Sequence, residues 1–245
     1  PRLGFGTSRD DTPPNHLPLI IVTDVTSPKT LEKLKNLKIA GVIFTQSAQA
    51  KAGKDLAKAR DTIDPVPTGL WHQTSSPNNN PRKIEGWDFG ILDINSPSSL
   101  VSEVKDYGQL LEIDPDIEET LIRGLDALPI GGLFYACDSE ILTIRHLLSI
   151  HRLGQLTTKP VLVLVSPQVN EKNLELLIES GASGVAIELK DGSNNIETIQ
   201  HVQDILSKLP VKKNRSRRMD AIISYQTPVP EGEPTRVAPD PDEPE

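Results

Sequence analysis

Aromatic side chains are scarce in this sequence, at 4% of 245 residues, and it contains one cysteine, Cys137. A core drawn from 36% apolar residues must therefore be mostly aliphatic, and Ile, Leu and Val dominate the apolar clusters. Such a composition is typical of a buried parallel sheet. One cysteine cannot form an internal disulfide, which is compatible with a reducing compartment. We therefore expect a cytoplasmic protein.

Excess positive charge and long hydrophobic runs are also lacking. The net charge of −8, together with the few aromatic side chains available for stacking on bases, argues against nucleic-acid binding. The longest apolar runs, such as 161–165, are far shorter than the roughly 20 residues of a membrane span. The chain begins at Pro1 rather than Met, so the sequence is also compatible with an upstream targeting or anchoring segment.

Apolar, β-branched clusters recur along the chain at intervals that suit a strand followed by a crossover helix. There are eight of them, at 18–23, 40–45, 67–72, 88–93, 108–113, 130–136, 160–166 and 183–189. This repeat predicts a closed (β/α)₈ barrel. An open, doubly wound sheet is the alternative, because a sequence does not show whether the sheet closes.

Helical patterns fill most of the intervals between these clusters. Ser27 and Pro28 supply an N-cap and a proline at the first helical position. Further helices are predicted at 46–60, 96–107, 116–128, 139–153, 170–180 and 195–209. The helix at 116–128 should bury Ile117, Leu121, Ile122 and Leu125, while Gly154 and Gly181 should end two others.

One interval departs from the repeat. Residues 73–87 contain two prolines, three consecutive asparagines and no apolar stripe. These features predict an irregular loop in place of the third helix.

Both ends of the chain differ in composition from its body. We expect an N-terminal arm over 1–16, the barrel over 17–211, a basic linker over 212–225 and a disordered, acidic, proline-rich tail over 226–245. The linker carries five Lys and Arg residues and the short apolar stretch MDAIISY. Residues 212–245 are therefore a candidate contact for a protein partner.

The carboxyl ends of barrel strands share one rim, where the active sites of such barrels lie. Asp24, Asp93 and Glu112 are three of the acidic residues at the carboxyl ends of the apolar clusters, and they belong to this rim. Converging carboxylates are the ligands that Mg²⁺ prefers, so we predict that these residues hold Mg²⁺. The alternative is that polar residues follow strands because loops and helix caps begin there.

Two rim residues are candidates for catalysis. His72 ends the third cluster and titrates near neutrality, which suits acid/base work, although a rim histidine can also simply hydrogen-bond its own loop. Lys190 follows the eighth cluster and is a candidate amine, but Asp191 and Gly192 flank it instead of the apolar enclosure that a Schiff-base lysine needs. Cys137 is either a thiol nucleophile or a small buried residue.

Barrels of this kind bind phosphate in the loops after strands seven and eight, beside a helix N-terminus. At these places the sequence offers Ser166, Gly192 and Ser193. They are the candidate residues for binding the phosphate of a ligand or cofactor.

The stretch 159–189, KPVLVLVSPQVNEKNLELLIESGASGVAIEL, has a proline-led strand, a helix that ends in Gly-Ala and a strand that begins with Gly-Val. It resembles the closing quarter of the phosphate- and flavin-binding (β/α)₈ barrels. Those families carry glycines after strands seven and eight, where this sequence has Ser166-Pro167 and Glu188-Leu189. The resemblance therefore implies the fold and carries over no catalytic residue.

Two functional hypotheses follow. The acidic rim favours a lyase, isomerase or aldolase acting on a small carboxylated or phosphorylated metabolite. The missing phosphate glycines, the irregular loop and the tail favour a catalytically degenerate barrel that acts as an interaction or assembly module through residues 212–245.

Overall fold

A computed structural model of the chain describes residues 17–24, 27–46, 53–72, 86–102, 107–137, 139–190 and 195–209. The chain divides into two units, Pro1–Val211 and Lys212–Glu245, and every described residue belongs to the first. The predicted arm, most of the loop at 73–87, the basic linker and the acidic tail lie outside these ranges. No helix within them is long and apolar enough to cross a membrane.

Eight parallel strands form a closed barrel in chain order, with β1 paired to both β2 and β8. The strands are β1 Leu19–Thr23, β2 Gly41–Gln46, β3 Thr68–His72, β4 Phe89–Leu92, β5 Gly108–Glu112, β6 Gly132–Ala136, β7 Val161–Val165 and β8 Gly184–Leu189. The predicted (β/α)₈ barrel is thus confirmed, and the alternative of an open sheet is wrong.

Within the described residues there are seven α-helices: α1 Pro28–Lys35, α2 Gly53–Ile63, α3 Ser99–Ser102, α4 Glu119–Gly124, α5 Ile144–Leu156, α6 Glu171–Ser180 and α7 Asn195–Lys208. α1 begins at the predicted proline. In α6 the side chain of Asn170 accepts a hydrogen bond from the backbone of Asn173, and Gly181 ends the helix with φ 104°. Both ends of α6 therefore agree with the prediction.

The limits of α5 differ from the prediction of 139–153. The Ser139 hydroxyl donates to the carbonyl of Ile141, whereas Thr143 forms a capping box with His146. Thr143 therefore caps the helix, which begins at Ile144. The helix also continues through Gly154, because glycine lowers helix stability without stopping the helix.

Gln46, the predicted start of α2, belongs to β2, and α2 is described over Gly53–Ile63, past the predicted end at Arg60. α3 is described over Ser99–Ser102, and residues 47–52 and 103–106 lie outside the described ranges. α4 is shorter than predicted. α4 is followed by a short 3₁₀ turn, Leu125–Ala127. Leu121, expected in the core, is 53% exposed. It lies about 100° around the helix from the fully buried Ile122, so the short helix cannot bury both side chains.

The strands are buried on both faces, because successive side chains alternate between the interior of the barrel and the surrounding helices. The interior cluster consists of Ile20, Val22, Ile43, Trp71, Phe89, Ile91, Leu110, Phe134, Leu162 and Ala186. A larger outer cluster packs the other face of the sheet against the helices, including Leu31, Leu34, Leu174, Leu177, Ile199 and Val202. The interior is therefore a filled apolar core.

Gly69 on β3 is packed directly against the ring of Phe89 on β4. A Cβ added at Gly69 would lie 2.3 Å from the nearest ring atom, and Phe89 is fully buried. The two residues are register partners across the β3–β4 ladder. Only glycine at this position lets the Phe89 ring occupy the barrel interior.

We predict that Gly69→Ala lowers the free energy of unfolding by about 1–3 kcal/mol, the usual cost of overpacking a core. Gly154→Ala is the matched control, because a Cβ added there meets nothing within 4 Å. That control should raise stability by about 0.5–1 kcal/mol, since alanine favours the helix. Urea denaturation of both variants measures the difference, and equal stability of the two would contradict this packing.

Candidate functional site

Two side chains from separate strands meet at the C-terminal mouth of the barrel. Trp71 on β3 belongs to the interior cluster, and its ring meets that of Phe134 edge-on at 4.8 Å between centroids. Glu112 lies two residues beyond the interior Leu110 on β5 and therefore on the same side of the strand. The Nε1–H of Trp71 donates a hydrogen bond of 2.8 Å to Oε2 of Glu112. This contact fixes one carboxylate oxygen at the upper edge of the core.

The environment of Glu112 makes its carboxylate unusually basic. Burial raises the pKa of Glu112, the hydrogen bond from Trp71 lowers it, and the negative charge of Asp93 raises it again. The net result of these effects is a pKa of Glu112 above the ordinary glutamate value. Perturbed pKa values are common in catalytic sites, so the raised pKa of Glu112 at the barrel mouth makes it a candidate catalytic residue.

The three predicted Mg²⁺ ligands occupy different environments. Asp24 follows β1 and is exposed, while Asp93 follows β4 and is half-buried like Glu112. One oxygen of Asp93 accepts a 2.7 Å hydrogen bond from the backbone of Asn95. Across the described ranges, no group of three or more His, Cys, Asp or Glu side chains is placed to hold a metal ion. The charge of Asp93 raises the pKa of Glu112. The Mg²⁺ site formed by Asp24, Asp93 and Glu112 stays a prediction.

His72, the predicted acid/base residue, is the last residue of β3 and the register partner of Gln46 on β2. Its side chain lies outside the described part of the structure. Its acid/base role therefore also stays a prediction.

Lys190, the other predicted catalytic residue, follows β8 at the same rim. Its Nζ lies 3.2 Å from Oε2 of Glu188, and the two side chains are 71% and 44% exposed. An amine so open to solvent lacks the apolar enclosure of a Schiff-base lysine. This setting instead suits a positive charge that attracts an anionic group of a ligand.

The predicted phosphate-binding residues are only partly described. The Ser166 hydroxyl donates to Oε1 of Gln168 at 2.8 Å and accepts from the Gln168 backbone. Asn170 caps α6 with its own side chain, so the loop after β7 satisfies its polar groups locally. Gly192 and Ser193 lie outside the described residues, and phosphate binding at these positions stays a prediction.

Cys137 and Ser166 line a cleft of about 30 Å³ between the loops after β6 and β7. A cleft of this volume holds one or two water molecules. Cys137 itself is half-buried. The cleft is too small for a metabolite.

Trp71, the hydrogen-bond donor to Glu112, was not among the residues predicted from the sequence. A buried indole N–H needs an acceptor, and strand alternation places Trp71 and Glu112 on the interior side of their strands. The need of the indole N–H for an acceptor and the strand alternation together could have identified the contact between Trp71 and Glu112, but only once the register between the strands was known.

We predict that Glu112→Gln stabilises the folded protein more at pH 8 than at pH 4. Because the folded-state pKa of Glu112 is raised, ionisation costs more in the folded than in the unfolded chain. Wild-type stability should therefore fall as the pH rises from about 4.3, the unfolded value, through the raised value, and the glutamine variant lacks this loss. Thermal unfolding at several pH values measures the difference.

Glu175→Gln is the matched control, since Glu175 is exposed on α6. It controls for the removal of one carboxylate from the surface, and the gain in melting temperature from pH 4 to pH 8 should be larger for Glu112→Gln. An effect of Glu112→Gln that is independent of pH would show that the pKa of Glu112 is not raised.

No protein-family model matches this sequence, and no curated protein is detectably similar to it. Solved structures are similar in fold. FabK from Thermotoga maritima is 13% identical with a TM-score of 0.52, and the match covers 71% of this chain and 58% of FabK. The chain thus spans less than two thirds of the length of FabK.

Two further structures are matched along nearly their whole length. A HpcH/Hpal aldolase/citrate lyase family protein from Burkholderia cenocepacia J2315 is 10% identical with a TM-score of 0.57, over 78% of this chain and 94% of that one. Orotidine 5'-phosphate decarboxylase from Pyrococcus horikoshii is 12% identical with a TM-score of 0.58, over 78% of this chain and all of that one. At such identities the likeness establishes the fold: the chain is a TIM barrel.

Proposed function

We propose that the chain is an enzyme of the lyase or isomerase type in which Glu112 transfers a proton to or from a small substrate at the mouth of the barrel. The hydrogen bond from Trp71 to Glu112 carries this proposal, because it holds a carboxylate of raised pKa at the end of β5. Active sites of TIM barrels lie at this end of the strands.

The chemistry of Glu112 suits proton transfer. A general acid or base works best when its pKa lies near the operating pH, and both burial and the charge of Asp93 shift the pKa of Glu112 in that direction. Trp71 holds Oε2, so we assign Oε1 to the exchange of the proton. The negative charge of Asp93 raises the pKa of Glu112, because a neighbouring carboxylate disfavours ionisation, as it does in other enzymes.

The substrate class follows from the remaining charges at the rim. Lys190, paired with the half-exposed Glu188, is the residue we assign to the attraction of a carboxylate or phosphate group. Two neighbours in fold, an aldolase/citrate lyase family protein and orotidine 5'-phosphate decarboxylase, have names consistent with small carboxylated or phosphorylated substrates.

A divalent ion is a second component of the proposal. Mg²⁺ usually takes one or two carboxylates, with water and substrate completing its shell. Asp93 with Asp24 or Glu112 would be enough for such a site. A bound ion would also offset the negative charge of the rim toward an anionic substrate.

The test is a thermal-shift screen of wild-type protein with small carboxylic acids and sugar phosphates, with and without Mg²⁺, because a ligand that binds only the folded state raises the melting temperature. Glu112→Gln should still bind a ligand found this way. Turnover of that ligand should fall by about 10²–10⁴-fold in the variant, the usual loss for a general acid or base. Glu175→Gln should keep wild-type turnover.

The screen also decides the role of the metal. If Mg²⁺ binds at the rim, Mg²⁺ alone should raise the melting temperature of wild type, and Asp93→Asn should abolish the increase. If Mg²⁺ does not change the melting temperature, the metal is no longer part of the proposal, while proton transfer by Glu112 is unaffected. Equal turnover by wild type and Glu112→Gln would overturn the proposed function.

A further inference from the structure

Four large apolar side chains on or just before the adjacent α4 and α5 are exposed, and together we call them the apolar patch. It consists of Leu121 on α4, Ile141 just before α5, and Ile144 and Leu148 on α5, which are 53%, 75%, 76% and 64% exposed. Leaving Leu and Ile side chains in water is unfavourable, and clustered exposed apolar side chains commonly mark an interaction surface. The fold itself does not need these side chains, since the buried face of α5 consists of His146, Ile150 and Leu153.

The backbone beneath the patch is held firmly in place. The capping box of Thr143 and His146 fixes the start of α5. Arg145 forms an ion pair with Asp116, and Arg152 donates to the carbonyl oxygens of Pro115 and Ile117. α5 is thereby tied to the segment that leads into α4, and α4 packs beside α5. The patch is a preformed surface, so a partner would not have to order it.

The charges next to the patch are mainly negative. Arg123 is an exposed cation two residues from Leu121, about 200° around α4, while Arg145 is already paired with Asp116. Exposed acidic residues precede both halves of the patch: Asp114, Glu118, Glu119 and Glu140.

The negative charge next to the apolar patch distinguishes between the partners that could bind there. A second copy of the chain would bring a surface of the same net negative charge, and like charges across an interface oppose association. A partner with positive charges beside its apolar side chains would meet complementary charge instead. α4 and α5 pack side by side, and paired helices are a common docking surface for an amphipathic helix.

We propose that the α4–α5 patch is the docking site for a basic amphipathic helix of a partner protein. Leucine-sized side chains of that helix pack on Ile144 and Leu148, and its flanking Lys or Arg residues pair with Glu118, Glu119 and Glu140. The site lies on the outer wall of the barrel and is independent of proton transfer at Glu112.

The test is a binding titration with a fluorescein-labelled helical peptide of about 15 residues, with leucines on one face and lysines beside them. Full-length wild-type protein should raise the fluorescence anisotropy of the peptide in a saturable way. The double variant Ile144→Ser/Leu148→Ser should bind at least about tenfold more weakly, as expected when central anchors of an interface are removed. Leu128→Ser is the matched control, because Leu128 is exposed at 42% but lies outside the patch.

Further experiments test the charge pairing and the alternative that a second copy of the chain covers the patch. A peptide with glutamates in place of its lysines should bind at least about tenfold more weakly to wild type, and so should the lysine peptide to Glu118→Gln/Glu119→Gln/Glu140→Gln. Absent or non-saturable binding, or equal binding to wild type and the double serine variant, would overturn the proposal. So would sedimentation analysis showing a wild-type dimer that the double serine variant abolishes, because the occupant would then be a second copy. Circular dichroism checks that each variant is folded.

Discussion

Closure of the sheet is the constraint on which the other features of this protein depend. Once β1 pairs with both β2 and β8, every strand must send alternate side chains into an interior of fixed width. A chain with few aromatic residues fills that interior mostly with Ile, Leu and Val, but places Trp71, Phe89 and Phe134 there as well. The space for the Phe89 ring comes from the missing side chain of Gly69.

The same constraint brings polar chemistry to one end of the barrel. The upper edge of the apolar core coincides with the ends of β3 and β5, so the indole N–H of Trp71 has to find its partner there, and it finds Glu112. A carboxylate held at this boundary is partly removed from water and is close to Asp93, and both effects raise its pKa. The core packing of the barrel thus prepares a basic group at its mouth.

Much of the fold could be predicted from the sequence, because strand positions follow from local apolar clusters and Gly or Pro boundaries. The limits of α5 could not, since Ser139 and Thr143 are both plausible caps and only the turn geometry selects Thr143. Leu121 was misplaced because periodicity does not show how short α4 is. The pairing of Trp71 with Glu112 depends on the register between strands 41 residues apart, which one sequence does not contain. His72, Gly192 and Ser193 stay predictions, since the side chain of His72 and residues 191–194 lie outside the described part of the structure.

The central claim is that Glu112 carries a raised pKa because it is partly buried beside Asp93, and Trp71 can report on it directly. The measurement is the pH titration of Trp71 fluorescence in a Trp87→Phe background, which leaves one tryptophan in the chain. We expect a transition with a midpoint above the ordinary glutamate value of about 4.3, a lower midpoint in Asp93→Asn, and no transition in Glu112→Gln. A midpoint at or below the ordinary value, unchanged by Asp93→Asn, would contradict the account.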